Sequence, residues 1–322
     1  MNFQSLDNQP RLLIEAHLKP VQGSRFQPTG FPFLGAAEFD GPDGMRMLLV
    51  ESPQSMANRM ENVCWSHIND EWIEPLRGLP FIRVEDKDGK HLTNSVIEAH
   101  RINSEYIART AEFESISKEL QFRKDRPFDI KKQLIPFLFK YDINSLLHGV
   151  FLEEVAGVIR LQRSLSAFIE AEDIHVAESG GVKLNIVDPT LKEGEGHLPY
   201  SKTEYFSKKI VAYFNLDLSQ IRAFGLNKPK TDLLIALALY KIRRFLDEGL
   251  RLRTACDMDV KEIKTTRPIN FELPTTNEIE KLIPGLIAAA YAERPAEERI
   301  TTVRFIGVKK GKKDRKQDSA ED

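Results

Sequence analysis

A helix that is apolar on nearly all of its faces constrains what this chain can fold into. It is predicted over residues 233–246, with Thr231 as its N-cap and Gly249 just past its end. The segment before it, residues 210–218, alternates with the period of two that is typical of a half-buried strand. Because a helix without a polar face has to be covered on several sides, we expect it to pack on a sheet that contains this strand.

Further strands and helices are predicted along the chain. The patterns favour strands over 11–18, 47–50, 79–84, 91–93, 257–263 and 301–308, and helices over 53–65, 95–121 and 152–171. Asp88-Gly89 predicts a hairpin between the third and fourth of these strands, and the polar stretch 179–197 predicts a second hairpin or a long excursion. The order of elements predicts an α+β fold: an elaborated βαββαβ, or RRM-like (ferredoxin-like), domain with large insertions.

Composition limits the classes of function. The chain has 322 residues and a formal net charge of −2, so any nucleic-acid partner requires positive charge that is gathered locally. No apolar run has the length of a membrane helix, and the first residues lack the apolar core of a signal peptide, so we expect no membrane partner. Two widely separated cysteines, Cys64 and Cys256, favour reduced thiols and a cytoplasmic protein.

Two polar segments that follow strand-like runs contain the main candidate ligand-binding residues. The first is the arginine loop 25–30, and the second opens the helix that starts after Ser52. Ser52 is a good N-cap and Pro53 fits the first helical position. Ser55, Asn58 and Arg59 form one polar stripe of this helix. A free helix N-terminus beside a polar stripe and an arginine loop suits a phosphate backbone, and the alternative is an ordinary capped surface helix.

Several segments together resemble one family. They are residues 25–32, 49–59, 98–104, 163–167, 179–182 and 249–254. They closely resemble the backbone subunit (Cas family seven, of the RAMP superfamily) of type I CRISPR surveillance complexes, or Cascade, in the subtype called I-U or I-G. Residues 196–198 and 210–248 resemble, more weakly, the backbone subunits of other subtypes. The resemblance extends from residue 11 to about residue 305.

This resemblance implies a division of the chain into parts. It places an RRM-like palm at residues 1–65 and 204–308, a helical fingers insertion at 66–171 and a β-hairpin thumb at 172–203. A basic tail, expected to be disordered, follows at 309–322. The thumb residues that match the family are Gly180, Gly181, Gly196, His197 and Leu198.

The resemblance also implies a function. The chain is expected to be a non-catalytic subunit that binds guide RNA (crRNA) and polymerises along it to form a helical filament. Expected partners are the guide, the target DNA strand through pairing with the guide, copies of the chain, a fused family five/six subunit, a large subunit and a recruited helicase-nuclease. The residues expected to contact RNA are Arg25, Gln27, Ser52, Gln54, Ser55, Asn58, Arg59, Arg101, Arg160, Arg163, Arg251 and Arg253.

Alternatives remain open for some of these residues. Arg25 and Arg59 are both expected to face solvent, whereas Arg251 and Arg253 could equally belong to a salt-bridged surface. The aromatic motifs of true RRM proteins are missing from the strands, which argues against base stacking on the sheet and favours contact with phosphates.

Catalysis is not expected. The seven histidines show no metal-ligand spacing, and no phosphate-binding loop or nucleophile elbow is present, so we expect no catalytic residue, metal or cofactor. Two alternatives of other kinds are kept. One is a RAMP-type endoribonuclease that cleaves target RNA with Asp40 or Asp43, and the other is a generic RNA-binding monomer.

Overall fold

The computed structural model describes residues 3–31, 33–122, 127–153, 159–184 and 197–307. Its strands, numbered in chain order, are β1 (Arg11–Pro20), β2 (Arg25–Phe26), β3 (Gly30–Phe31), β4 (Gly35–Ala36), β5 (Glu38–Asp40), β6 (Arg46–Glu51), β7 (Trp65–Ser66), β8 (Glu71–Trp72), β9 (Phe81–Glu85), β10 (His91–Asn94), β11 (Val150–Leu152), β12 (Ile159–Leu161), β13 (Leu165–Glu172), β14 (His175–Leu184), β15 (His197–Phe206), β16 (Lys209–Asp217), β17 (Arg251–Arg253), β18 (Cys256–Arg267) and β19 (Ile300–Arg304).

The α-helices are α1 (Pro53–Asn62), α2 (Glu105–Ala108), α3 (Ala111–Ser117), α4 (Ile135–Tyr141), α5 (Asn144–His148), α6 (Leu218–Ala223), α7 (Lys228–Glu248) and α8 (Thr276–Ala290). Short 3₁₀ turns lie at Gln4–Leu6, Glu74–Leu76, Arg101–Asn103, Lys118–Leu120 and Ala296–Glu298, and a π-helical turn lies at Ile130–Leu134.

A seven-stranded antiparallel sheet forms the centre of the fold, in the order β17-β18-β1-β16-β13-β6-β5. In β1 buried residues alternate with more exposed ones, as predicted for a half-buried strand. Its partner β16 lies antiparallel to it, with Ile14 opposite Phe214. The mixed α+β class predicted from the sequence is confirmed.

The apolar helix α7 lies against this sheet and is covered on several sides. Phe245 of α7 meets Phe214 of β16 edge to face, with ring centroids 6.2 Å apart. On another side Tyr240 donates a hydrogen bond to Glu280 of α8 at 3.0 Å. The prediction for this helix is confirmed, except that Asn227 rather than Thr231 is its N-cap and accepts a hydrogen bond from the Lys230 N–H at 3.2 Å.

Helix α8 lies in a part of the chain for which no element is predicted. Pro284, which normally interrupts a helix, stands inside it. The helix begins with a capping box, in which Thr275 and Glu278 satisfy each other's backbone N–H groups.

The helix predicted over residues 152–171 is wrong. The described part of this segment forms β11, β12 and β13, whereas residues 154–158 lie outside the described residues. Leu165 and Ile169 are four residues apart, which is also a helical spacing, and this made the pattern ambiguous. Strand β13 is paired along both edges, with β16 and with β6, and it is buried at every second residue because successive side chains of a strand point to opposite faces of the sheet.

The single helix predicted over residues 95–121 is a series of short turns and helices. Arg101 has a positive φ of 52° and interrupts the helical path. Ser104 and Thr110 then act as N-caps, so α2 and α3 start anew after each of them.

Both predicted hairpins are confirmed. Strands β9 and β10 pair across the Asp86–Lys90 turn, and β19 joins them parallel to β9. Strands β14 and β15 pair from His175 opposite Phe206 to Leu184 opposite His197. Strand β2 adds to the base of this second hairpin, with Arg25 opposite Phe206.

Two further predictions concern the thiols and the tail. Cys64 and Cys256 are both free and buried, in agreement with the sequence. No helix within the described ranges is long and apolar enough to cross a membrane. The predicted basic tail at 309–322 lies outside the described residues.

Candidate nucleic-acid interface

Helix α1 has the capped, amphipathic form that its sequence predicts. The Ser52 hydroxyl accepts a hydrogen bond from the Ser55 N–H at 3.2 Å, and Pro53 occupies the first turn. Met56 and Met60 face the core and are fully buried. The opposite face of the helix is therefore free to carry polar side chains.

That polar face includes four of the predicted RNA-binding residues. Asn58 is exposed, whereas Ser55 and Arg59 are half-buried. Gln54 lies at the start of the face and its amide donates a hydrogen bond to the Asn58 side chain at 3.0 Å. The helix thus presents a row of hydrogen-bonding groups, and the Gln54 and Asn58 side chains at its start orient each other through their hydrogen bond.

A buried carboxylate holds two of the predicted arginines. Glu51 is fully buried at the end of β6 and accepts hydrogen bonds from Arg59, at 3.0 Å, and from Arg253. Arg59 also bonds the carbonyl of Leu252, and Arg253 bonds the carbonyl of Gln27 at 3.1 Å. Burial lowers the pKa of both guanidinium groups, which stay charged at neutral pH. Three ionised groups in this arrangement leave one net positive charge.

A first cleft of about 480 Å³ runs beside the polar face of α1, and we call it the α1–β17 cleft. Arg251 of β17 is exposed in it and forms no ion pair with any described residue. The residues that line the cleft are Ser55, Asn58, Arg59, Glu61, Asn62, Val63, Val96, Ile97, Glu248, Gly249 and Arg251. Four predicted residues therefore meet here, drawn from α1 and from the distant β17.

A second cleft of about 480 Å³ opens on the other side of the start of α1, and we call it the β12 cleft. Arg163 donates to the His148 carbonyl at 3.2 Å and to the side chain of Gln54. Since Gln54 also bonds Asn58, it connects the two clefts. The lining comprises Gln54, Ala99, His100, Arg101, His148, Gly149, Val150, Phe151, Arg160, Leu161, Gln162 and Arg163.

Arg101 is buried and paired with a carboxylate, as is typical of an arginine that stabilises the fold. It is 4% exposed and pairs with Glu61 of α1 through Nε to Oε1 at 2.6 Å and Nη2 to Oε2 at 3.0 Å. Asn144 donates to the same Glu61 carboxylate. A bidentate pair of this kind occupies the guanidinium edge that a phosphate would need. In this conformation Arg101 fixes α1 to its neighbours.

The arginine loop lies at the base of the β14–β15 hairpin. Arg25 is exposed, as predicted, and forms an ion pair with Glu204 of β15 at 2.5 Å. The Gln27 N–H donates to the Ala255 carbonyl at 2.8 Å, which places the loop beside the turn between β17 and β18. The expectation that Arg59 also faces solvent is wrong, because its side chain is only 25% exposed and is held by Glu51.

The predicted thumb residues belong to the hairpin where they are described. Gly180 and Gly181 lie in β14, opposite Ser201 and Tyr200. The backbone of His197 and Leu198 lies in β15, opposite Leu184 and Lys183. Gly196 lies outside the described residues, as do the side chains of His197 and Leu198.

The two aspartates of the nuclease alternative lie at the β5–β6 hairpin. Asp40 is exposed in the edge strand β5, and the Asp43 carboxylate accepts a hydrogen bond from the Met45 N–H at 3.1 Å. Within the described part of the chain, no three His, Cys, Asp or Glu side chains are grouped to hold a metal ion.

Three residues of the site were not predicted from the sequence: Glu51, Glu61 and Phe151. Glu51 has a signal that could have found it, because a carboxylate between a strand and an N-cap stands next to the helix arginines. Glu61 lies 40 residues before Arg101, and no spacing rule connects them. No sequence pattern identifies Phe151 as part of the site, because its contribution depends on Arg160 lying opposite it in the β11–β12 ladder.

Comparison with known proteins places the chain in a family. The model of the family described as CRISPR-associated protein GSU0053 matches residues 12–176. No curated protein matches the chain. Among solved structures, a chain of "CRISPR RNA-guided surveillance complex, pre-nicking" is similar at 13% identity, with 88% of this chain and 86% of that chain covered and a TM-score of 0.48.

Two further solved structures are similar. A chain of "CRISPR RNA-guided surveillance complex" has 13% identity, covers 88% of this chain and 83% of its own length, and has a TM-score of 0.37. Csc2 of Thermofilum pendens has 11% identity, coverages of 90% and 80%, and a TM-score of 0.32. The family match covers half of the chain, with all of α1 and the β12 cleft inside it, and the chain therefore belongs to the CRISPR-associated protein GSU0053 family.

Proposed function

We propose that this chain is a non-catalytic subunit that binds guide RNA through its sugar-phosphate backbone, within a type I CRISPR surveillance complex that recognises target DNA in antiviral defence. One observation carries the proposal. The polar face of α1 lies between two clefts, and each cleft holds an exposed arginine, Arg251 or Arg160, without a carboxylate partner among the described residues. Membership of a CRISPR-associated family supports it.

The chemistry of the α1 face favours phosphates and ribose over base edges. Its groups are guanidinium, amide and hydroxyl donors, which bond phosphate oxygens and 2′-hydroxyls of any sequence. A subunit that has to accept every guide requires binding of this kind. The net positive charge left over around Glu51 adds attraction without sequence preference.

The proposed interface keeps most of the residues predicted from the sequence. Arg101 is left out because its guanidinium is buried against Glu61. Arg59 and Arg253 contribute through their charge and their free edges, since each is about one-quarter exposed. The direct contacts are assigned to Arg25, Gln27, Ser52, Gln54, Ser55, Asn58, Arg160, Arg163 and Arg251.

We also propose that the centre of the sheet is an RRM-like palm. Strands β18, β1, β16 and β13 lie side by side in that order in the sheet. Along the chain, α1 lies between β1 and β13, and α7 lies between β16 and β18. A βαββαβ unit with its fourth strand beside its first has this arrangement. The fingers then correspond to residues 66–164 rather than 66–171, because β13 (Leu165–Glu172) belongs to the central sheet, and the β14–β15 hairpin corresponds to a thumb.

The assembly follows from sharing one RNA strand. Copies of the chain that bind neighbouring stretches of a guide form a filament, and the thumb hairpin is the element placed to reach the next copy. The remaining proposed partners are the target DNA strand through its pairing with the guide, a fused family five/six subunit, a large subunit and the recruited helicase-nuclease.

Co-expression with a CRISPR array tests the proposal. We expect the chain to co-purify with processed guide RNA and to form regular filaments in electron micrographs. A protein that stays monomeric with guide RNA would favour a generic RNA-binding module instead.

A matched pair of variants tests the interface. Arg25→Ala should weaken binding to single-stranded RNA of any sequence and reduce the slope of log affinity against log salt by roughly 0.7. Arg77→Ala is the control, because Arg77 is also an exposed, ion-paired arginine but belongs neither to the arginine loop nor to the polar face of α1. Equal affinities and slopes for the two variants would remove Arg25 from the site.

A further inference from the structure

The β12 cleft is lined by cations without carboxylates. Arg160 and Arg163 supply the positive charge, whereas Arg101 is neutralised by Glu61. Burial lowers the pKa of His148 so that it is uncharged at neutral pH, and none of the described lining residues is Asp or Glu. Glu61, the partner of Arg101, lies behind the cleft wall and is 3% exposed. A concave site with cations and without lining carboxylates favours an anionic ligand.

The same cleft contains an aromatic–cation pair. Phe151 of β11 and Arg160 of β12 are directly opposite in the two-stranded ladder. The guanidinium carbon of Arg160 lies 4.6 Å from the centroid of the Phe151 ring. Arg160 is exposed and Phe151 is half-buried, so the ring supports the cation from below.

Arg160 has no carboxylate partner in the described part of the chain. The Phe151 ring contacts the guanidinium, and no carboxylate among the described residues competes with an incoming ligand for it. Bases splayed from single-stranded RNA stack on guanidinium planes and on aromatic rings. The pair therefore has the chemistry of a stacking platform for a nucleobase.

A phosphate position adjoins this platform. Arg163 follows three residues after Arg160 and is oriented by the His148 carbonyl at 3.2 Å and by the Gln54 side chain. These bonds use its Nε and Nη2 atoms, and Nη1 has no partner among the described residues. Burial lowers the pKa of Arg163, with the neighbouring Arg101 charge adding to the effect, so the cation gains from an incoming anion.

We propose that the β12 cleft holds one nucleotide of the bound RNA, with its base stacked on the Arg160 guanidinium and its phosphate held by Arg163. This rests on the proposed function and adds a base contact to an interface that otherwise bonds only the backbone. Stacking is tolerant of sequence because every base has a π-face, so the platform is compatible with any guide.

A comparison of two oligonucleotides tests the platform. The full chain is titrated with single-stranded RNA and with a stable abasic spacer oligonucleotide of the same length. We expect wild-type protein to prefer the RNA by about tenfold, the scale of one stacked base. Arg160→Lys keeps the charge but loses the plane, and Phe151→Leu keeps apolar volume but loses the ring. Both should reduce the preference to about twofold or less.

Two controls separate stacking from charge. Arg163→Ala should weaken binding of both oligonucleotides and reduce the salt slope by roughly 0.7 while leaving the preference in place. Arg77→Lys, outside the proposed interface, should change neither the preference nor the slope.

The outcomes distinguish the two proposals. If wild-type protein binds RNA and its preference over the abasic chain is the same in Arg160→Lys and Phe151→Leu, the stacking platform is overturned and the RNA-binding function stands. If wild-type protein binds neither oligonucleotide, the proposed function itself fails.

Discussion

Glu51 and Arg253 connect the sixth strand of the central sheet to its first. Glu51 ends β6, Arg253 ends β17, and four strands lie between them in the sheet order. Arg253 also bonds the Val50 carbonyl at 3.3 Å and the Gln27 carbonyl at 3.1 Å. The sheet is therefore curled enough at this end for the two sides to meet, and the meeting point lies beside the polar face of α1. Ion pairing and the candidate RNA site share the same side chains.

Neutralising Glu51 should cost stability. In Glu51→Gln the half-buried Arg59 and Arg253 lose their shared anion, and we expect unfolding free energy to fall by about 2 kcal/mol. Urea denaturation measures this. The control is Asp259→Asn in the exposed Lys19–Asp259 pair, which should change stability by about 0.5 kcal/mol or less. Equal, small effects would show that Glu51 does not hold this end of the sheet.

Arg251 and Arg253 should separate RNA binding from stability. Arg251→Ala removes an exposed cation that has no ion-pair partner among the described residues, so affinity for single-stranded RNA should fall while unfolding free energy changes by about 0.5 kcal/mol or less. Arg253→Ala breaks three described hydrogen bonds and should destabilise the fold by about 2 kcal/mol. Fluorescence anisotropy and urea unfolding on both variants check this, and a destabilised Arg251→Ala protein would contradict it.

Asp142 should make stability depend on pH. Burial raises its pKa to about 6, above the value of about 3.9 in an unfolded chain. The folded protein then holds an extra proton between about pH 4 and pH 6, so this contribution to stability is present at low pH and is lost as pH rises through 6. Asp142→Asn removes it, and the stability of wild type relative to the variant should fall between about pH 4 and pH 7.

The nearby His148 acts in the opposite direction. Burial lowers its pKa well below the usual value, so its contribution is lost as pH falls. Because His148 is present in both proteins, the difference between wild type and Asp142→Asn isolates the aspartate. A difference that is flat across this range would show that Asp142 is ionised in the folded state throughout.

Removing residues 180–198 should abolish cooperative assembly without unfolding the protein. Ser179 and Lys202 are opposite each other, so the deletion leaves a three-residue loop between paired positions, and the contact of β15 with β2 remains. We expect binding isotherms on long RNA to become non-cooperative. Shortening the Asp86–Lys90 turn of the other hairpin is the matched control. Regular, full-length filaments of the deletion variant would refute the thumb assignment.

The assembled complex should not cut complementary RNA in the presence of Mg²⁺. Asp43 is engaged with the Met45 N–H, and Asp40 lies on an exposed edge strand with no cluster of acidic ligands among the described residues. Gel electrophoresis of labelled target RNA checks this. Regularly spaced cuts that disappear in Asp40→Ala or Asp43→Ala would establish the nuclease alternative.

The sequence by itself determined the elements whose signals are local. The alternation in β16, the apolar faces of α7 and the Ser52-Pro53 start of α1 each depend on neighbours within a few residues, and each is present as predicted. The two hairpins could also be predicted from the sequence, because an Asp-Gly turn and a polar excursion are local features.

Only the tertiary structure decided which polar residues meet. Residues 165–171 fit a helix or a strand by spacing, and pairing with β6 and β16 on both sides made them a strand. The local sequence predicted RNA contact for both Arg101 and Arg251. In the fold, Arg101 is buried in an ion pair with Glu61, whereas Arg251 is exposed. The physical reason is that the ion-pair partner of an arginine can lie far away along the chain, as Glu51 does for Arg253. Residue spacing within a helix or strand predicts contacts only between near neighbours in the sequence.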